Sequence, residues 1–172
     1  SATSGNVVID SQAHTNGAQI DSIAVGEFCR LKVERLGSNG RIIAVDFREM
    51  LPLPGVTFIQ GDFTEASVLA QLEETLGKCS VDLVISDMSP NISGIGMVDQ
   101  ARGMHLAELA LEFSITRLNS GGNFLGKVFQ GFGFDEFLRN MRASFNRVVT
   151  RKPGASRGRS SELYLLGLGK QD

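Results

Sequence analysis

Three polar side chains interrupt apolar runs in this chain: Asp87 in VDLVISDMSPN, Lys127 in GGNFLGKVFQG and Glu162 in SRGRSSELYLLG. A carboxylate, an amine able to hold or accept a proton and a second carboxylate are the parts from which acid–base active sites are made. Each sits where a strand is expected to end, and in an open α/β sheet ligands bind in the crevice beyond the carboxyl ends of the strands. The three are 35 to 40 residues apart, the length of a strand, a crossover helix and a return strand, so neighbouring strands can aim them at one point. The chain reads as an enzyme. The plain alternative for the same residues is salt bridging at strand ends without chemistry.

The elements that must position these residues follow from periodicity. From Gly40 onward, strand-like RIIAVDF and VTFIQGDF flank a turn at LPLPG. A helix is predicted from Glu65 to Leu76, with Val68, Leu69, Leu72 and Leu76 as its apolar stripe and Gly77 as its stop. The strand VDLVISDM comes next, then a long helix near Val98 to Leu118 whose stripe is Met104, Ala107, Leu111, Ile115 and Leu118. The turn NSGG leads into NFLGKVF, and a further helix from Phe134 to Phe145 precedes RVVTRKP and ELYLLGLG. Near-continuous apolar strands imply burial on both faces, as in parallel strands covered by helices. The last two strands have no helix between them and are predicted to pair antiparallel at one end of the sheet. The expected fold is therefore α/β, mostly parallel with that antiparallel pair, and with helices on both faces.

At 172 residues, 42% apolar and 21% charged, residues 1–172 fit one domain with one sizeable core. No window approaches a membrane span, and SATSGNVVID lacks a basic region followed by an apolar core, so neither a span nor a signal peptide is expected. A cytoplasmic location is the plain expectation. Cys29 and Cys79 lie far apart without His or Cys at ligand spacing, so no metal site is expected. The net charge of −2 conceals an asymmetry: residues 1–100 carry 6 basic and 13 acidic residues, and residues 101–172 carry 11 and 6. From Arg139 through Arg142, Arg147, Arg151, Lys152 and Arg157 to Arg159 no acidic residue intervenes. Such a surface attracts a phosphate backbone; as a bland alternative it is a solvated face.

From about Gly37 onward the motifs GSNGRIIAVDF, FIQGDF, VDLVISDMSPNISG, LALEFSITRLNSGGNFLGKVFQGFGFDEFL and RKPGASRGRSSELYLLGLGK, in this order and spacing, resemble the FtsJ/RrmJ family of S-adenosylmethionine-dependent ribose 2′-O-methyltransferases acting on large-subunit ribosomal RNA. The resemblance implies a Rossmann-like methyltransferase fold, S-adenosyl-L-methionine as cofactor, ribosomal RNA within the large subunit as partner, and a monomer. It assigns Asp87, Lys127 and Glu162 to three places of the family's Lys-Asp-Lys-Glu tetrad. No residue matches the first lysine, and Lys32, the one lysine ahead of the matching region, sits beyond the loop position.

Residues 1–36 are atypical of the family. Its glycine-rich cofactor loop corresponds, counting back without gaps, to IDSIAVGEFCR, with Gly26 on a loop glycine and Phe28 on the family's tryptophan. A rival register places SQAHTNGAQ there, after NVVID, and keeps Asp10, Ala13 and Gly17. Asp46, closing RIIAVD, occupies the position where nucleoside-binding sheets accept hydrogen bonds from ribose hydroxyls. Asp62 in QGDF resembles the residue that accepts from the adenine amino group, beside Gly61; the alternatives are a strand-end turn and an Asx turn. Asp87 is expected to touch the cofactor too. Methyl transfer to a hydroxyl requires positioning and proton removal, and Lys127 is the candidate base, with Asp87 orienting it and opposing loss of its proton if close. Lys152, Arg157 and Arg159 are candidates to grip RNA phosphates. Phe129, Phe132 and Phe134 are candidates to stack a base, or core residues. The rival function is a catalytically silent RNA-binding module on the same scaffold.

Overall fold

The computed structural model describes residues 7–10 through their backbone and residues 40–49, 51–52, 54–79, 81–90, 93–152 and 161–172 in full. Their strands are β1 (Val7–Asp10), β2 (Ile42–Asp46), β3 (Val56–Gln60), β4 (Val81–Ser86), β5 (Leu118–Phe129), β6 (Phe145–Arg151) and β7 (Glu162–Lys170), and their helices α1 (Ala66–Leu76), α2 (Gly96–Arg117) and α3 (Phe134–Ser144). One sheet runs in the order β3-β2-β1-β4-β5-β7-β6. β2 and β3 pair parallel, as do β4 and β5. β7 is antiparallel to both β5 and β6, so the last two strands form the predicted pair and β6 points the same way as β5.

One strand departs from the parallel pattern. β1 is antiparallel to both β2 and β4, with Val7 opposite Val45 and Ser86, and Asp10 opposite Ile42 and Leu83. The β-branched run VVI takes a central place in the sheet, yet its carboxyl end lies at the edge opposite Asp46 and Asp87. β1 thus ends at the far edge, and the segments that both registers of the cofactor loop use lie outside the described residues.

Alternation along the strands divides the apolar side chains between two faces. Ile43, Val45, Val84, Phe124, Val128, Leu163 and Leu165 point into the larger core, which all three helices cover: Val68, Leu72 and Leu76 from α1, Met104, Ala107 and Leu111 from α2, Phe137 and Met141 from α3. Ile42, Leu83, Ile85, Leu125 and Leu166 form a smaller cluster on the other face, bordered by Val149, Tyr164 and Leu168. The described helices therefore lie on one face, as right-handed crossovers that all step the same way across a sheet must. The expectation of helices on the second face falls outside the described residues.

The helix limits lie within two residues of the predicted ones. Gly77 stops α1 with a positive φ of 59°, its N–H bonded to the Glu73 carbonyl. α2 buries more than the single predicted stripe, and Ile115 is exposed because the buried line steps by three, from Leu111 to Ser114. The Ser114 hydroxyl meets its burial requirement by donating to the Ala110 carbonyl at 2.6 Å.

NSGG is not a turn ahead of the strand but a bulge within β5. The register shifts between Val81–Leu118 and Leu83–Asn123, Gly121 takes φ 80°, and Asn119 donates to the Asp82 carboxylate at 2.8 Å. A chain that must shed residues inside a ladder bends at such a position.

β5, β7 and β6 are locked by an aromatic contact. Phe124 and Phe145 stack with centroids 6.3 Å apart, and a Cβ on Gly167 would lie 2.7 Å from the Phe145 ring. Gly167→Ala is therefore expected to destabilise the fold by about 1–3 kcal/mol through overpacking, read as a lower urea midpoint with an unchanged slope. An unchanged midpoint would show that the ring can move aside.

Candidate active site

The carboxyl ends of β2, β3, β4 and β5 open on one edge of the sheet, and β7, running the other way, brings its first residues to that edge. The ladders put Lys127 opposite Tyr164, and Tyr164 opposite Arg151. Directly paired residues share a face, so amine, phenol and guanidinium form a row across β5, β7 and β6. Asp87 follows β4 at the head of that row.

The Lys127 Nζ lies 2.8 Å from Asp87 Oδ1, with both side chains largely but not wholly withdrawn from water. The same amine donates to Ser89 Oγ at 3.1 Å and makes a long contact of 3.5 Å with the Asp87 carbonyl. The Tyr164 hydroxyl also donates to Asp87 Oδ1, at 2.9 Å. One carboxylate oxygen thus accepts from two strands at once. Glu162 stands two residues before Tyr164 on the same face of β7, and the two interact by charge and hydrogen bonding. Burial, then the Asp87 charge and hydrogen bond, then Glu162, hold the Tyr164 phenol far above its ordinary value of 10.0. The three residues singled out in the sequence are thereby brought together, Asp87 and Lys127 directly and Glu162 through the tyrosine.

Tyr164 and Ser89 were not anticipated. The signal for Tyr164 was present: in E-L-Y the period of two places it on the same face as Glu162. Ser89 carried no such signal, because its place depends on the irregular stretch after β4.

Asp46 and Asp62 lie at the same edge, at the ends of neighbouring strands, and both carboxylates also brace turns. Asp46 Oδ1 accepts from the Arg48 N–H at 2.9 Å, and Asp62 Oδ1 accepts from the Thr64 N–H at 2.9 Å and its hydroxyl at 2.7 Å. Gly61 is needed for packing: a Cβ there would meet Val68 Cγ2 at 2.3 Å. Lys152 is exposed just beyond β6 at this edge. Gly26, Phe28, Arg157 and Arg159 lie outside the described residues. Among the described residues no helix is long and apolar enough to cross a membrane.

The family model of FtsJ-like methyltransferases matches residues 22–170. The chain belongs to that family. The match begins some fifteen residues ahead of the motifs recognised in the sequence, and takes in Gly26 and Phe28. Ribosomal RNA large subunit methyltransferase E of Nitrosospira multiformis is 68% identical over 149 residues, covering 87% of this chain and 72% of the relative. Its namesake in Azoarcus is 51% identical over 164 residues, covering 95% and 75%. Among solved structures, a Plasmodium falciparum chain described as a ribosomal RNA methyltransferase superposes with a TM-score of 0.69 at 26% identity, covering 83% of this chain and 80% of that one. An rRNA methylase structure from Clostridium thermocellum, 16% identical with a TM-score of 0.53 over 85% and 83% of the two chains, shares the fold.

The chain has one tyrosine and no tryptophan, so phenol ionisation reads this site alone. A raised folded-state value means that the folded form keeps its proton while the unfolded form loses it, so this contribution to stability is intact below pH 10.0 and is lost above it as pH approaches the folded value. Tyrosinate absorbance at 295 nm is expected only well above that pH, and Asp87→Asn should lower its midpoint. Ordinary ionisation near the usual phenol value in the folded protein would refute the bridging geometry.

Proposed function

We propose that this chain transfers a methyl group from S-adenosylmethionine to a ribose 2′-hydroxyl of large-subunit ribosomal RNA. Family membership and the names of its relatives support an RNA methyltransferase. The observation that carries the finer reading is the single Asp87 oxygen held by both Lys127 and Tyr164 at the carboxyl edge of the sheet. That carboxylate fixes the Lys127 amine beside the Tyr164 phenol oxygen, and the two form a cradle for a substrate hydroxyl.

The donor set suits the cofactor. Asp46, Asp62 and Asp87 bring acceptor oxygens to the ends of β2, β3 and β4, and the ligand offers ribose hydroxyls, an amino group and a positive charge. When bound, S-adenosylmethionine supplies an electrophilic methyl carbon on a sulfonium. The chain does the rest: Asp46 and Asp62 receive the nucleoside, with Gly26 and Phe28 assigned to its methionine side. Asp87 aims Lys127; the amine, after releasing its own proton to solvent, takes the hydroxyl proton through its freed lone pair, and Glu162 steadies Tyr164. Lys152, with Arg157 and Arg159, is assigned to phosphate contacts.

Ribose methylation removes the nucleophile of alkaline hydrolysis, so the test is transfer of labelled methyl from S-adenosylmethionine to large-subunit RNA and its recovery in alkali-resistant dinucleotides. Label in the bases would overturn the site of transfer. Failure of S-adenosylmethionine to bind in a calorimetric titration would favour the silent RNA-binding module, for which the reversed β1 is the supporting observation.

Lys127→Met keeps the apolar stem and removes the amine; turnover is expected to fall about 100- to 10,000-fold, the usual contribution of acid–base catalysis, with S-adenosylmethionine affinity retained. Full turnover in that variant rules out Lys127 as the base. RNA affinity is expected to decline steeply with salt, and the Lys152→Gln variant should show a shallower slope in log affinity against log salt. A slope equal to that of the unaltered chain removes Lys152 from the phosphate contacts.

A further inference from the structure

Of the three phenylalanines in KVFQGFGF, the structure sets one apart. Phe129 is half-buried with its ring against Gly103, where a Cβ would lie 2.9 Å away. Phe134 packs on the larger core. Phe132 is 85% exposed on the short connection between β5 and α3.

This connection starts three residues after Lys127, and its stem is fixed at the active-site edge by the Gln130 N–H, which donates to the Ser161 carbonyl at 2.8 Å, next to Glu162. On its other side it rests on the first turns of α2. The space a Cβ of Gly131 would fill is taken by the Gln100 amide, 2.6 Å away. Gln100 and Met97 are three residues apart on α2 and so are surface neighbours. Met97 is 83% exposed and Ile95, at the helix start, 60%. The exposed apolar side chains Phe132, on the connection after β5, and Ile95 and Met97, at the start of α2, thus stand on two segments that the Gly131–Gln100 contact brings together.

Exposed apolar groups grouped beside a polar site mark a contact surface. The opposite end of the polar row is Arg151 with Lys152 beyond it. A ligand crossing the edge therefore meets cations on one side of the Lys127 amine and an apolar shelf on the other. Single-stranded RNA has matching chemistry: a charged backbone and bases that leave the stack and settle on aromatic side chains.

We propose that Phe132, supported by Met97 and Ile95, is the platform on which an unstacked base next to the methylated ribose lies. This rests on the RNA reading above, and it specifies a substrate whose bases are splayed at the target and not held in a continuous duplex.

The test separates the shelf from the chemistry. Fluorescence anisotropy of the full chain is measured with a short labelled uridine oligomer and with an abasic ribose-phosphate strand of equal charge. The unaltered chain is expected to favour the base-bearing strand about 5- to 150-fold, the range of one base–aromatic stack. Phe132→Ala should remove most of that margin and Met97→Gln part of it, Phe132→Trp should keep it, and the salt slope should stay the same in all. An undiminished margin in Phe132→Ala overturns the proposal, as does equal weakening toward both strands. Weakening confined to assembled ribosomal subunits would assign the patch to a protein contact and overturn it equally. Failure of the methyltransferase reading is seen separately, as a chain that binds the oligomer through Phe132 yet labels no ribosomal RNA.

Discussion

The active-site edge depends on one oxygen atom. Asp87 Oδ1 accepts from the Lys127 amine and from the Tyr164 hydroxyl, so it joins β5 and β7 to the chain leaving β4. A carboxylate withdrawn from water without partners would be strongly unfavourable, and two donors from different strands offset that. Removing either one leaves the remaining charge poorly compensated. The arrangement therefore works only if the β5–β7 register is correct, because a slip of one residue would leave Lys127 and Tyr164 on opposite faces of the sheet.

Apolar packing on the far side of the same strands fixes that register. Gly126 and Gly167, each next to a residue of the polar row or its ladder, have no space for a Cβ because the Phe124 and Phe145 rings lie over them. Phe124 pairs with Gly167 across the ladder, so ring faces glycine and a shifted register would set a side chain against the ring. The bulge at Asn119 to Gly122 absorbs the extra length of β5 at the opposite end, away from Lys127. The irregularity within the β4–β5 ladder is thus kept at the edge without chemistry.

Much of this was legible in the sequence because it rests on short-range rules. Three helices and the strands from β2 onward follow from periodicities of 3.6 and 2, and the antiparallel end follows from the missing crossover helix. Asp87, Lys127 and Glu162 were visible as polar residues ending apolar runs. What was not legible required pairing across distance. Tyr164 gains its place from a partner 77 residues away, and the α2 stripe was misplaced at Ile115 because a helix that packs on both sheet and helices buries more than one line. The need for Gly61 likewise comes from a distant contact, the Val68 side chain lying where a Cβ would stand. The direction of β1 has no signature in VVID, since β-branched residues favour a strand equally in either sense.

That reversal divides the edge into two parts with different support. On the side of β4, β5, β7 and β6 the polar row is set by continuous ladders and a shared carboxylate, so amine, phenol and guanidinium are placed before any ligand arrives, which is the preorganisation that positioning catalysis requires. On the side of β2 and β3, Asp46 and Asp62 each lend an oxygen to a local turn, and the strand between them and Asp87 presents its first residue, Val7, where a parallel strand would present its last. In sheets of this kind the loop after the first strand approaches the ligand from that position. The substrate half of the edge is therefore specified by long-range pairing, whereas the cofactor half draws on turns whose carboxylates already have partners. There Asp46 and Asp62 serve a turn and a ligand with the same carboxylate, whereas Asp87 serves two side chains of the row itself.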